Sequence, residues 1–141
     1  RKRLVVLRDK LIKGLLQIPK TRLNGHPILR VVNNVSISFL DIEGESILLH
    51  LDHEGICAST GSACNSASLE PSHVIISLGV PYEVAHGTIR FTLGRYNTLA
   101  EVQKVLEVMP KIVAKLRALS PINVKLENEL FNIYLLKKRS Y

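Results

Sequence analysis

Two residues carry functional groups in settings suited to chemistry. Cys64 lies near the middle of ten small residues, Ser59-Thr60-Gly61-Ser62-Ala63-Cys64-Asn65-Ser66-Ala67-Ser68. Arg90 lies at the centre of the alternating run Thr88-Ile89-Arg90-Phe91-Thr92-Leu93. An accessible thiolate is a nucleophile toward sulfur, and it passes sulfur on through exchange reactions. A guanidinium fixed mid-strand can grip a carboxylate with two parallel hydrogen bonds. The residues alone leave a structural ion pair as an equal alternative for Arg90. No side chain in the ten-residue run is large enough to fill a core, and Gly61 tolerates backbone angles that its neighbours do not. The run therefore reads as a weakly held surface loop formed by Ser59, Thr60, Gly61, Ser62, Ala63, Asn65 and Ser66 around the thiol. A thiol on a mobile arm can visit both a donor and an acceptor.

The other reactive side chains read as structural. Cys57 falls in Ile56-Cys57-Ala58, a short apolar run expected to be a buried strand, where a free cysteine is a small inert core residue. Six residues separate Cys57 from Cys64, which matches no common zinc spacing. His50 and His53 could add ligands from one helical face, but no metal site is expected. His26 belongs to the turn Asn24-Gly25-His26-Pro27 and should face solvent. His73 and His86 read as helix-surface or capping groups, with a place beside the thiol as the alternative.

The elements that must position these groups follow from periodicity. Residues 2–18 carry Leu4, Leu7, Leu11, Ile12, Leu15 and Ile18 at helical spacing, and Pro19 ends that helix. From Ile28 to Phe39 the pattern has period two, with Asn33-Asn34 as a bulge. Gly44-Glu45 opens a short helix carrying Ile47, Leu48 and Leu51. After the loop, Ser68 is a possible cap, with Glu70 and Pro71 in the first turn of a helix that stops at Gly79. A second helical fragment ends near His86-Gly87. In the strand 88–93, Ile89, Phe91 and Leu93 share one face, so Arg90 projects from the other with Thr88 and Thr92. A final helix opens with a capping box, Thr98 and Glu101, is expected to kink at Pro110, and ends at Ser120-Pro121.

Composition bounds the reading. The 141 residues fit one domain, and 46% apolar with 22% charged residues are ordinary globular values. No apolar run approaches the length of a membrane span. The two cysteines point to a reducing compartment with free thiols. The chain begins with Arg1 and its single Met is Met109, so it reads as a piece of a longer polypeptide. The net charge of +7 is uneven: nine Lys or Arg against one acid in the first thirty residues, then five acids and no Lys or Arg in residues 41–54. Such a basic face can bind nucleic acid or an acidic protein. With 5% aromatic residues and no nucleic-acid motif, it reads as a solvated helix face.

The run "STGSACNSASLEPS", followed about fifteen residues later by "AHGTIRFTLGR", resembles the C-terminal part of NifS/IscS-type cysteine desulfurases, of the class V aminotransferases. "LNGHP", "NNVSISF" and "EGESILLHLD" resemble the same family in the same order, so the likeness covers roughly residues 4–121. The family's loop usually has Ser where this chain has Thr60, and Thr where it has Asn65. The resemblance implies an α/β (α+β sandwich) fold: the small C-terminal domain of a pyridoxal-phosphate enzyme, a mainly antiparallel sheet covered by helices. Residues 1–121 would be that domain, without the large cofactor-holding domain, and 122–141 a basic tail. The resemblance further implies that Cys64 takes sulfur from L-cysteine as a persulfide, releasing L-alanine. Cys64 would then pass it to an iron–sulfur scaffold protein or another acceptor, while Arg90 holds the substrate carboxylate. It implies a homodimer and a cytoplasmic location, or the mitochondrial matrix in a eukaryote. Pyridoxal phosphate chemistry needs a lysine, yet none occurs between residues 21 and 103, so the isolated chain should be inactive. The alternative is a non-catalytic module for dimerisation and scaffold docking, with Cys64 a passenger.

Overall fold

The computed structural model describes residues 1–60 and 70–119. Helix α1, Lys2–Leu15, repeats leucine every four residues, so Leu7, Leu11 and Leu15 fall on one buried stripe. Leu16 closes the helix by donating to the Ile12 carbonyl at 3.0 Å, three residues before Pro19. The chain then turns through Lys20, at φ 53°, into strand β1, Thr21–Leu23.

Among the described residues the sheet has four strands: β1, β2 (Asn34–Phe39), β3 (Ser59–Thr60) and β4 (Thr88–Thr92). Their order is β1-β2-β4-β3 and every pairing is antiparallel. Period-two alternation sends Val35, Ile37, Phe39, Ile89 and Phe91 to one face. They form the main core with α1, with Ile47 and Leu51 of α2 (Gly44–His53), and with Val102, Val105, Met109, Ile112 and Val113 of α5 (Leu99–Leu119). Helices α1 and α5 meet closely: a Cβ on Gly14 would stand 2.4 Å from a Leu106 methyl carbon. Helix α5 opens with the expected capping box, in which Thr98 N–H donates to Glu101 Oε2 at 2.7 Å and Glu101 N–H to Thr98 Oγ1 at 3.3 Å. It runs unbroken through Pro110 to Leu119.

A second, smaller cluster joins Leu40 to Ile75, Val80, Val84 and Ala85, from α3 (His73–Ser77), α4 (Tyr82–Ala85) and their connection. Between α4 and β4 the backbones touch. Phe39 N–H donates to the Gly87 carbonyl at 2.9 Å, and a Cβ on Gly87 would stand 1.9 Å from the Phe39 oxygen.

Three expectations are corrected. Residues 28–33 are not strand, and Ile28, Leu29 and Val31 are 77%, 80% and 63% exposed. Side chains take the backbone groups that a ladder would need. His26 Nδ1 accepts from the amides of Ile28 and Leu29, and the buried Arg8 guanidinium donates to the carbonyls of Arg30 and Val31. The ladder therefore begins at Asn34. Residues 56–58 are likewise not strand, because pairing starts at Ser59. Ile56 and Ala58 pack on the core, which turns Cys57 outward, so it is exposed rather than buried. Helix α3 starts at His73, not near Glu70. Its cap is Ser72, whose hydroxyl accepts from the Val74 amide at 3.3 Å, while Ser68 lies outside the described residues. Thr88 shares the Arg90 face of β4, as expected, but that end of the face is closed. Thr88 is 2% exposed, its hydroxyl 2.7 Å from that of Ser38, which accepts from Asn24 Nδ2 at 2.9 Å.

Candidate functional site

Strand β4 places Arg90 by simple alternation. Ile89 and Phe91 are held in the core, so the side chain between them must leave the opposite face, and Arg90 is exposed. The register sets Ser36 of β2 opposite it on one side and Ser59 of β3 on the other. Arg90 Nη2 donates to Ser59 Oγ at 3.3 Å, and Ser59 Oγ–H donates to the Thr60 carbonyl at 2.8 Å. Among the described residues the ion pairs are Arg8–Asp9 and Lys20–Asp41, so the structural ion pair considered for Arg90 has no partner there. A guanidinium with one hydroxyl contact keeps N–H groups to offer to a carboxylate arriving from solvent.

The small-residue run divides at Thr60. Ser59 and Thr60, read from sequence as the start of the mobile loop, are half-buried strand residues paired with Arg90 and Ile89. Gly61, Ser62, Ala63, Cys64, Asn65 and Ser66 lie outside the described residues. Three residues separate Thr60 from Cys64, so chain length alone keeps the two Cα atoms within about 14 Å. The chain thus enters the Cys64 segment from the strand beside Arg90.

The histidines make other contacts. His50 Nδ1 lies 2.9 Å from the Ser46 carbonyl within α2, and His86 meets Tyr82 edge-on at 4.6 Å. His73 is exposed at the start of α3. Among the described residues no group of three or more His, Cys, Asp or Glu is placed to hold a metal ion.

A pyridoxal phosphate does not fit the residues present. Lys2, Lys10, Lys13, Lys104, Lys111 and Lys115 are exposed on α1 and α5, and Lys20 is paired with Asp41 at 2.7 Å. Lys104 already donates to the Glu54 carbonyl at 2.7 Å. None of these lysines stands on the Arg90 face of the sheet.

What sequence reading missed is the Ser59–Arg90 contact. Ser59 was grouped with its small neighbours, because the β3 pairing that separates it from them is only two residues long. The available signal was alternation: inward Ile56 and Ala58 frame outward Cys57, and the polarity then changes at Ser59.

The aminotransferase class-V family matches residues 1–105. The cysteine desulfurase IscS of Methanosarcina thermophila is 62% identical over 122 residues, covering 86% of this chain and 30% of that protein. Cysteine desulfurase 2 of Trichormus variabilis is 57% identical over 123 residues, covering 86% and 31%. Among solved structures, a NifS-like protein superposes with a TM-score of 0.69 at 30% identity, covering 82% of this chain and 28% of its own. The chain therefore spans about 30% of the length of the curated relatives it matches.

Proposed function

Because the chain belongs to the aminotransferase class-V family, we propose that it is the small-domain part of a cysteine desulfurase. The observation that carries this is the β3–β4 pairing. It sets an exposed arginine, with no ion-pair partner among the described residues, directly beside the strand pair Ser59–Thr60, with three residues between Thr60 and Cys64. In this reading Arg90 holds the carboxylate of L-cysteine. Cys64 takes the substrate sulfur as a persulfide, L-alanine leaves, and the persulfide passes to an iron–sulfur scaffold or another thiol acceptor. The C–S bond cleavage requires the electron sink of a pyridoxal phosphate held by residues outside this chain. Ser59 and Thr60 anchor the arm, and residues 61–66 are the segment that carries the thiol between donor and acceptor. Residues 1–121 form the domain and 122–141 a tail, acting as a homodimer with the large domain in the cytoplasm or mitochondrial matrix.

The test is mass spectrometry of the full-length polypeptide after exposure to L-cysteine. The gain of one sulfur atom should fall on the Cys64 peptide and disappear in Cys64→Ser. Equal loading in that variant would overturn the assignment. A second reading, a docking module with Cys64 a passenger, draws on the exposed bases Lys2, Arg3, Lys10 and Lys13 of α1. It predicts that an acidic scaffold protein binds wild type and Cys64→Ser alike, with sulfur transfer unchanged. Retained binding with transfer lost supports the first reading.

A further inference from the structure

We propose that Ser59 is a positioning residue for Arg90, presetting the guanidinium for a substrate carboxylate. The inference rests on the reading of Arg90 given above. An exposed arginine on a strand has a long stem and loses considerable rotamer freedom when it grips a ligand. Three observations show that this one is restrained beforehand. Ser59 is the direct cross-strand partner of Arg90. Its oxygen accepts from Nη2 at 3.3 Å. Its own proton is committed to the Thr60 carbonyl at 2.8 Å, which turns the lone pairs toward the guanidinium. An arginine has five N–H donors and no acceptor, so the hydroxyl can only receive from it. One Nη2–H is thereby fixed in place while a fork of N–H groups stays free for two carboxylate oxygens.

The opposite flank differs. Ser36, the other cross-strand partner, accepts from Asn24 Nδ2 at 3.3 Å and makes no hydrogen bond to Arg90. The restraint is one-sided, and it comes from the strand that continues into the thiol-bearing segment. Ser59 therefore belongs to carboxylate recognition rather than to the thiol-bearing segment that follows it in sequence.

The experiment uses the full-length, cofactor-loaded polypeptide in four forms: wild type, Ser59→Ala, Ser59→Thr and Arg90→Ala. Losing one hydrogen bond of ordinary net strength corresponds to about a fivefold change in affinity. Ser59→Ala should raise KM for L-cysteine and the inhibition constant of L-alanine by about that factor, with kcat within about twofold of wild type. The inhibition constant of cysteamine, which has no carboxylate, should not move. Ser59→Thr, which keeps the hydroxyl and suits a strand, should restore both carboxylate-dependent constants. If Ser59→Ala leaves KM and the L-alanine constant unchanged while Arg90→Ala raises both, the positioning role is overturned and the reading of Arg90 stands. If Arg90→Ala also leaves them unchanged, the underlying reading fails as well. If Ser59→Ala weakens cysteamine as much as L-alanine, or Ser59→Thr does not rescue, the residue is structural and the proposal falls.

Discussion

Replacing Gly87 by alanine tests the contact that sets the start of β4, and so the position of Arg90. The added Cβ would stand 1.9 Å from the Phe39 carbonyl oxygen and 2.7 Å from that of Ile42. Both neighbours are backbone, so no side-chain rotation can make room. Relief requires moving the end of β2 away by an ångström or more, against the packing of Phe39, which has no exposed surface. That movement breaks the Phe39 N–H···O=C Gly87 bond of 2.9 Å. Overpacking of this kind costs about 1–3 kcal/mol, and the lost hydrogen bond adds about 1 kcal/mol. The sum, about 2–4 kcal/mol, is a large share of the roughly 5–15 kcal/mol that holds a domain folded. With a urea slope of about 1–3 kcal/mol per molar, the midpoint should fall by at least about 0.7 M. Urea titration followed by far-ultraviolet circular dichroism measures this. A loss below about 0.5 kcal/mol, the range of a neutral surface change, would refute the argument.

Two further outcomes are expected. The Thr98 backbone amide, and after it the Asn97 side chain, hold the Glu101 carboxyl below its ordinary value of 4.5. A depressed folded-state pKa contributes stability that is present above the unfolded value and lost as pH falls through the folded one. The stability difference between wild type and Glu101→Gln, which keeps an acceptor in the capping box, should therefore be constant at neutral pH and shrink below pH 4.5. Thermal melts from pH 7 to 2.5 read this directly, and a pH-independent difference would contradict it. The isolated chain mixed with pyridoxal phosphate should retain no aldimine band after desalting, and should release no sulfide when L-cysteine is then added, since its described lysines are exposed or engaged on α1, α5 and the Lys20–Asp41 pair. Turnover comparable to that of an intact desulfurase would disprove this.

Much of the arrangement was legible in the residues. Leucine spacing in α1, the Thr98–Glu101 box of α5 and the alternation of β4 each depend on local chemistry, and the fold keeps all three. Alternation fails where side chains intervene. Residues 28–33 alternate like a strand, but His26 accepts from the nearby amides of Ile28 and Leu29, and Arg8, far back in the chain, donates to the carbonyls of Arg30 and Val31; the second capture leaves no trace in a local window. Cys57 was misplaced by one step of the same alternation, because Ile56 and Ala58 are the inward pair. Thr88 lies on the Arg90 face as alternation requires, but a strand pattern distinguishes two faces and not where one of them is closed. Here a hydroxyl chain through Ser38 to Asn24 makes burial tolerable. Arg90 keeps the face its alternation assigns; the alternation running from Ile56 into Ser59 is harder to see, because Ser59 opens a run of small residues.

Among the described residues the sheet's rims are short: β1 offers three residues along its outer edge and β3 two, so an incoming extended peptide finds scarcely one repeat of ladder there on which to align. Ribbon-like stacking needs a longer template, and brief margins of this kind are a common defence against it. If this domain self-associates, the contacts should therefore form through bare apolar side chains such as Ile28, Leu29 and Val74, leaving amyloid-dye fluorescence at baseline.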